Sequence, residues 1–215
     1  MLFSATSLRE LYKLVPPLLR AAMVRWEALA VLLIAMTATA ALTQAAQVVV
    51  ARLEGTVDEG MVYLARRAAA EARGKVLVIE IDSYGGYMQS ADRIVAEILT
   101  CNCKVVAWIP PGAKAVSAAA LVALAAEKLY VAPGAVLGAV KPYPQDEKVM
   151  EYVFSRLVSL LERRGTPNAS ALARAMVYEA RSLSAEDALR LRVAEPSTST
   201  LEEVLRAENL SGAPV

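Results

Sequence analysis

From residue 47 to about residue 135 the apolar positions change rhythm at short intervals. "QVVVARLEG" (47–55) reads as a strand closed by Gly55, and "VDEGMVYLARRAAAEARG" (57–74) as an amphipathic helix ending at Gly74. "KVLVIEID" (75–82) is apolar almost without interruption, the pattern of a strand covered on both faces. "SYGGY" (83–87) turns into a helix through "QSADRIVAEILT" (89–100), and "KVVAWI" (104–109) is the next strand, stopped by Pro110-Pro111-Gly112. "AVSAAALVALAA" (115–126) predicts a buried helix, "KLYVA" (128–132) a short strand, and "PGAVLGAVKPYPQ" (133–145) an irregular loop. Three helices follow, "EKVMEYVFSRLVSLLERRG", "NASALARAMVYEA" and "SAEDALRLR", the last capped by Ser184. "LEEVLRAENL" lies near the end of the sequence. Alternation of strand and helix predicts an α/β layered domain with a largely parallel sheet.

The first 46 residues follow a different pattern. Residues 1–26 carry Arg9, Lys13, Arg20 and Arg25 and a short helical stretch, "SLRELYKLV", broken by Pro16-Pro17. Residues 27–46 contain the uncharged run "ALAVLLIAMTATAALTQAA". Its length suits a transmembrane anchor, and its most apolar part equally suits a cleaved signal peptide, for which a start at Met23 instead of Met1 would give a compact n-region. Either way, the positive charges ahead of it place residues 47–215 outside the cytoplasm, anchored or exported.

Composition narrows the chemistry. The 215 residues have a net charge of +1, which gives no general attraction to nucleic acid. Histidine is absent, which excludes a Ser-His-Asp triad and imidazole metal ligation. A base working near neutrality must then be a lysine, a carboxylate, a tyrosine or the N-terminus. The two cysteines, Cys101 and Cys103, are too few for a structural zinc and read as small apolar residues entering a strand. The sequences "NAS" (168–170) and "NLS" (209–211) match glycosylation acceptors, as short motifs often do by chance.

Within the Ala-rich segment a lone hydroxyl, Ser117, follows the Pro-Pro-Gly turn at the mouth of the expected helix. Free N–H groups at a helix N-terminus favour negative charge, and small neighbours leave room for a peptide. Two readings stand at this point: an ordinary N-cap serine, or a nucleophile for acyl transfer. Gly85 and Gly86 could bring backbone N–H groups close to a ligand, or could simply form a turn. Among the lysines, Lys114, Lys141 and Lys148 are the ones not placed at strand starts or ahead of the apolar run. Lys114 lies in the turn and could equally face water. To serve as a base, a lysine must fall from about 10.4 to roughly 7–8, mainly by desolvation. Lys148 has apolar neighbours that allow this, while Asp146 and Glu147 oppose it.

Four blocks in order, "VIEIDSYGGYMQSADRIVAEI", "VVAWIPPGAKAVSAAALVALAAEKLYVAPGAVLGAVKP", "EKVMEYVFSRLVSLLERRG" and "RSLSAEDALRLRVAE", resemble the membrane-bound ClpP-class serine proteases associated with NfeD proteins. More distantly they resemble signal peptide peptidase A. The resemblance covers most of residues 47–205 and implies a ClpP/crotonase-like α/β spiral of β-β-α units, with the N-terminal apolar helix added. It implies Ser117 as nucleophile, Lys148 as general base, and the N–H groups of Gly86 and Ala118 as oxyanion donors, with Gly85 shaping the turn. Two positions depart from the family pattern: Ala119 stands where glycine is expected, and Lys141 where an arginine is expected, which makes Lys141 a rival base.

The function so implied is a Ser-Lys endopeptidase cleaving apolar segments of peptides or membrane proteins. It would work at a membrane as a dimer or larger homo-oligomer, without metal or other cofactor. Two rivals share the fold: a crotonase-type acyl-CoA enzyme, and a non-catalytic scaffold for membrane partners.

Overall fold

The computed structural model describes residues 47–214, together with Pro16. The remainder of the basic segment 1–26 and the apolar segment 27–46 lie outside the described residues. Among the described residues no helix is long and apolar enough to cross a membrane.

The first strand, β1 (Val48–Val57), is rich in β-branched residues and continues past Gly55. Gly55 has φ +85°, and the pairing register with the next strand shifts between Glu54 and Thr56, so the glycine forms a bulge rather than an end. Helix α1 (Glu59–Glu71) starts where the Asp58 carboxylate accepts the Met61 N–H. Strand β2 (Val76–Gly86) then runs four residues further than the apolar pattern implied, so "SYGG" belongs to the strand. Helix α2 (Met88–Thr100) follows directly, and β3 (Lys104–Ile109) after it.

Two short strands depart from the sequence reading. Lys114, expected in the turn, and Ala115 and Val116, expected to open the buried helix, form strand β4 (Lys114–Val116), and helix α3 begins only at Ala118 (Ala118–Ala125). After β5 (Lys128–Val131), the expected loop contains β6 (Val136–Gly138). Three-residue strands are too short to show a period in sequence; only their pairing defines them. Helix α4 (Glu147–Arg163) is capped by Asp146, whose carboxylate accepts the Lys148 and Val149 N–H groups. Helix α5 (Ala169–Tyr178), strand β7 (Ser182–Leu183), helix α6 (Ala185–Arg190) and helix α7 (Leu201–Ala207) complete the chain. Ser184 caps α6 as expected, and Thr200 with Glu203 forms a reciprocal capping box on α7.

The sheet runs β5-β3-β2-β4-β6-β7, with β1 also on β2. Every pairing is parallel except β6 with β7, which makes the sheet mixed. Because β1 holds one edge of β2 along its length, β3 and β4 share the other: β3 takes Val76–Glu80 and β4 takes Ser83.

Alternate residues of β2 enter two apolar layers, which is why its sequence is continuously apolar. Leu77, Ile79 and Ile81 join α1, α2 and α3 in the main core. Val76 and Val78 join Val106, Trp108 and Tyr130 under Val204, Leu205 and Leu210 of the C-terminal segment. That segment is pinned at its polar end, where Glu208 accepts the Tyr130 hydroxyl at 2.5 Å and pairs with Lys104 at 2.6 Å. The Val48 N–H donates to the Pro214 carbonyl at 3.2 Å, so the two ends of the described domain meet at the base of β1.

All eight residues of α3 are buried, a helix apolar on every side. Truncating Leu121 or Leu124 in it would leave a cavity costing about 2–5 kcal/mol.

The reading of the cysteines is corrected. The turn at Asn102 brings the Cα atoms of Cys101 and Cys103 to 5.2 Å, and a disulfide joins them. Both still pack against the main core, as small apolar residues would.

Candidate active site

The carboxyl ends of β1, β2 and β4 converge where α2 and α3 begin, the crevice in which open α/β sheets place their ligands. Ser117 occupies the junction between β4 and α3 with φ +57° and ψ −125°, a backbone conformation that L residues seldom adopt. Its N–H donates to the Gly138 carbonyl at 2.9 Å, and its own carbonyl accepts from Ala120 at 3.0 Å. The junction is therefore held from both sides. Ser117 is the N-cap by position, yet its side chain accepts no capping hydrogen bond. The ordinary capping role fails, and the half-buried hydroxyl is left available.

Gly85 lies against this serine. It has φ +101°, and a β-carbon on it would fall 2.7 Å from Ser117 Cβ, 2.8 Å from the Val116 carbonyl oxygen and 3.0 Å from Ala118 N. Gly86 is pressed on its other side, where a β-carbon would lie 2.4 Å from the Val57 carbonyl oxygen. Neither position tolerates a side chain, so the glycine pair is demanded by close backbone approach and not merely by a turn. Ser83, almost fully buried, ties the turn: its hydroxyl donates to the Gly55 carbonyl and accepts the Gly85 N–H at 3.0 Å. Ala119, the position expected as glycine, is buried in the main core inside α3, where helical backbone accommodates its methyl.

The three lysines separate. Lys114 Nζ lies 2.6 Å from Asp82 Oδ1 and 4.6 Å from the centre of the Tyr84 ring. The hydrogen bond to Asp82 holds its ammonium above the ordinary lysine value, against a smaller desolvation effect, so Lys114 is not a neutral amine near pH 7. Lys148 stands in the first turn of α4 with its side chain exposed. It lines a groove of about 870 Å³ with Met150, Tyr152, Ser155 and Tyr178. Lys141 is half-buried, three residues beyond β6. Among the described residues no hydrogen bond joins either Lys141 or Lys148 to Ser117; the structure brings together Gly85, Ser117 and Ala118.

Asp82, Ser83 and Tyr84 were missed in the sequence reading. The available signal was their place, immediately ahead of the glycine pair at the end of a buried strand.

The α/β fold that carries this serine and its facing glycines is ClpP-like in architecture. ClpP1 from Listeria monocytogenes superposes with a TM-score of 0.62 at 16% identity, over 72% of this chain and 94% of its own. Residues 47–215 match the family described as NfeD1b, N-terminal domain, and the chain belongs to that family. Membrane-bound protease PH1510 of Pyrococcus horikoshii is 30% identical over 152 residues, 66% of this chain. The match covers 34% of that relative, so the chain spans about a third of its length. Two structures of the 1510-N membrane-bound stomatin-specific protease are also similar. A serine-to-alanine mutant is 28% identical with a TM-score of 0.71, covering 76% of this chain and 85% of its own. A lysine-to-alanine mutant in complex with a substrate peptide is 26% identical with a TM-score of 0.72, covering 80% and 87%.

Proposed function

We propose that the protein is a serine endopeptidase in which Ser117 attacks the scissile carbonyl and neutral Lys148 accepts its proton, later giving it to the leaving amine. The N–H groups of Gly86 and Ala118 would receive the developing oxyanion, at the place where Gly85 lets the β2 backbone reach the serine. The observation that carries this reading is Ser117 itself: a strained, uncapped serine heading a wholly buried helix and packed against a glycine that no other residue could replace. The similar structures with a serine and a lysine substituted, one of them holding a substrate peptide, support the same pair of roles.

Lys148 is exposed in the single chain, and what makes a lysine a neutral base is mainly desolvation. The reading therefore requires cover over the 870 Å³ groove, supplied by an apolar peptide substrate or by a second copy of the chain. The uncharged run in residues 27–46 supports attachment to, or export across, a membrane, and apolar peptide or membrane-protein segments as substrates. The test is hydrolysis of an apolar peptide by wild type and by Ser117→Ala, Lys148→Ala and Lys141→Ala. Loss of at least about a thousandfold in the first two, with Lys141→Ala active, is expected. An active Lys148→Ala beside a dead Lys141→Ala reverses the assignment of the base, and an active Ser117→Ala ends the peptidase reading.

A further inference from the structure

The two halves of the proposed site sit on strands that barely pair. Gly85 and Gly86 end β2, and Ser117 follows β4, yet the β2–β4 ladder consists of the single register pair Ser83 with Ala115. By contrast β4 is held to β6 over three register pairs, and β1 accompanies β2 to its last residue. Beside the one-pair ladder, Asp82 Oδ1 accepts two donors from one residue of β4: the Lys114 backbone N–H at 3.3 Å and its ammonium at 2.6 Å. The ammonium also covers the ring of Tyr84, the residue just ahead of the glycine pair.

We propose that the Asp82–Lys114 pair, seated on Tyr84, is a positioning clamp that holds the glycine strand against the serine strand and thereby sets the spacing between the Gly86 N–H and the Ser117 oxygen. The reading rests on the peptidase proposal. The missing side chain of Gly85 sets how closely the two strands approach; the clamp opposes their separation. The side chains of Lys114 and Asp82 are 23% and 44% exposed, so the pair adds little to global stability. Its effect falls on geometry, where a displacement of about 1 Å at an acyl-transfer site costs on the order of a hundredfold in rate.

The test compares Lys114→Met, Asp82→Ala, the double variant and Lys114→Arg in the full chain. Steady-state hydrolysis of an apolar peptide should show kcat lower by about tenfold or more in each single variant, with KM within about twofold. The double variant should be no worse than the worse single one, and Lys114→Arg should recover most of the lost kcat. A rise in KM at constant kcat, unchanged kcat, or a Lys114→Arg as impaired as Lys114→Met would overturn the clamp. A second readout is independent of turnover: hydrogen exchange at the Gly85 and Ser117 amides, which donate to Ser83 Oγ and to the Gly138 carbonyl. It should quicken about tenfold in Lys114→Met and not in Lys114→Arg. If the wild-type chain hydrolyses no peptide, the peptidase reading falls and exchange alone decides the clamp; unchanged exchange sinks it.

Discussion

Gly85 and Ser117 approach so closely that a β-carbon on the glycine would lie 2.7 Å from that of the serine. The contact joins residues 32 positions apart in sequence, at the ends of two different strands. Gly85→Ala is therefore expected to do double damage. The φ of +101° is strained for any L residue, and the methyl must push back the Val116 carbonyl and Ser117 together. A loss of about 3 kcal/mol or more is expected in denaturant unfolding, with peptidase activity abolished. A Gly85→Ala protein of wild-type stability contradicts the packing described.

Ser117 should behave unlike a capping serine. Removing a true cap costs about 1 kcal/mol, but this hydroxyl makes no cap bond, so Ser117→Ala should melt close to wild type. Ser117→Gly should go further and gain about 1 kcal/mol over Ser117→Ala, because only glycine is free of strain at φ +57°. Thermal unfolding of the three proteins gives the order directly. A clear destabilisation in Ser117→Ala restores the capping role.

Alkaline pH should weaken the packing of α7. Burial, then the hydrogen bond to Glu208, raise the Tyr130 phenol above its ordinary value of 10.0, with Glu208 and Glu195 adding to the effect. The nearby ammonium groups of Lys104 and Lys128 are paired with Glu208 and Glu195, and the Lys128 ammonium is itself raised. A group whose folded value is raised stabilises fully below its unfolded value and loses that contribution as pH climbs through the folded one. The contribution of Tyr130 is thus constant below about pH 10 and declines above it. Unfolding free energy measured from pH 8 to 11.5 should fall at the top of the range, less steeply in Tyr130→Phe. Equal slopes refute the role given to the phenol.

The Cys101–Cys103 disulfide closes a very short loop. Chain entropy for such a loop amounts to about 1.6 kcal/mol, so the double serine variant should lose no more than that. Thiol titration of the unfolded, unreduced protein should find no free cysteine. Two titratable thiols would return the pair to the apolar role assigned from sequence.

Much of the frame was legible along the chain. The runs at 75–82 and 104–109 are apolar on both faces, which fits strands packed under helices on one side and under α7 on the other. The lone Ser117 and the glycine pair were visible as chemistry, although nothing local could show that they touch. Most of what escaped the reading depends on contacts distant in sequence. β4 and β6 exist through their pairing, and Asp82 meets Lys114 across 32 residues. The Cys101–Cys103 bridge is local, and it escaped because it depends on the bend at Asn102. Lys114 is the instructive case: it stood among the three candidate bases, and the hydrogen bond to a carboxylate from another strand holds its ammonium above the ordinary lysine value.

The hydrogen bond between Val48 and Pro214 has a mechanical consequence. β1 runs from that bond to Val57 beside Gly86, a span of about 30 Å at 3.3 Å per residue. Cargo or tethers joined at either end of the domain would hang from one pole while the crevice opens at the other. Tension between such attachments would load the seam at the base of β1 and leave the glycine–serine contact unstressed.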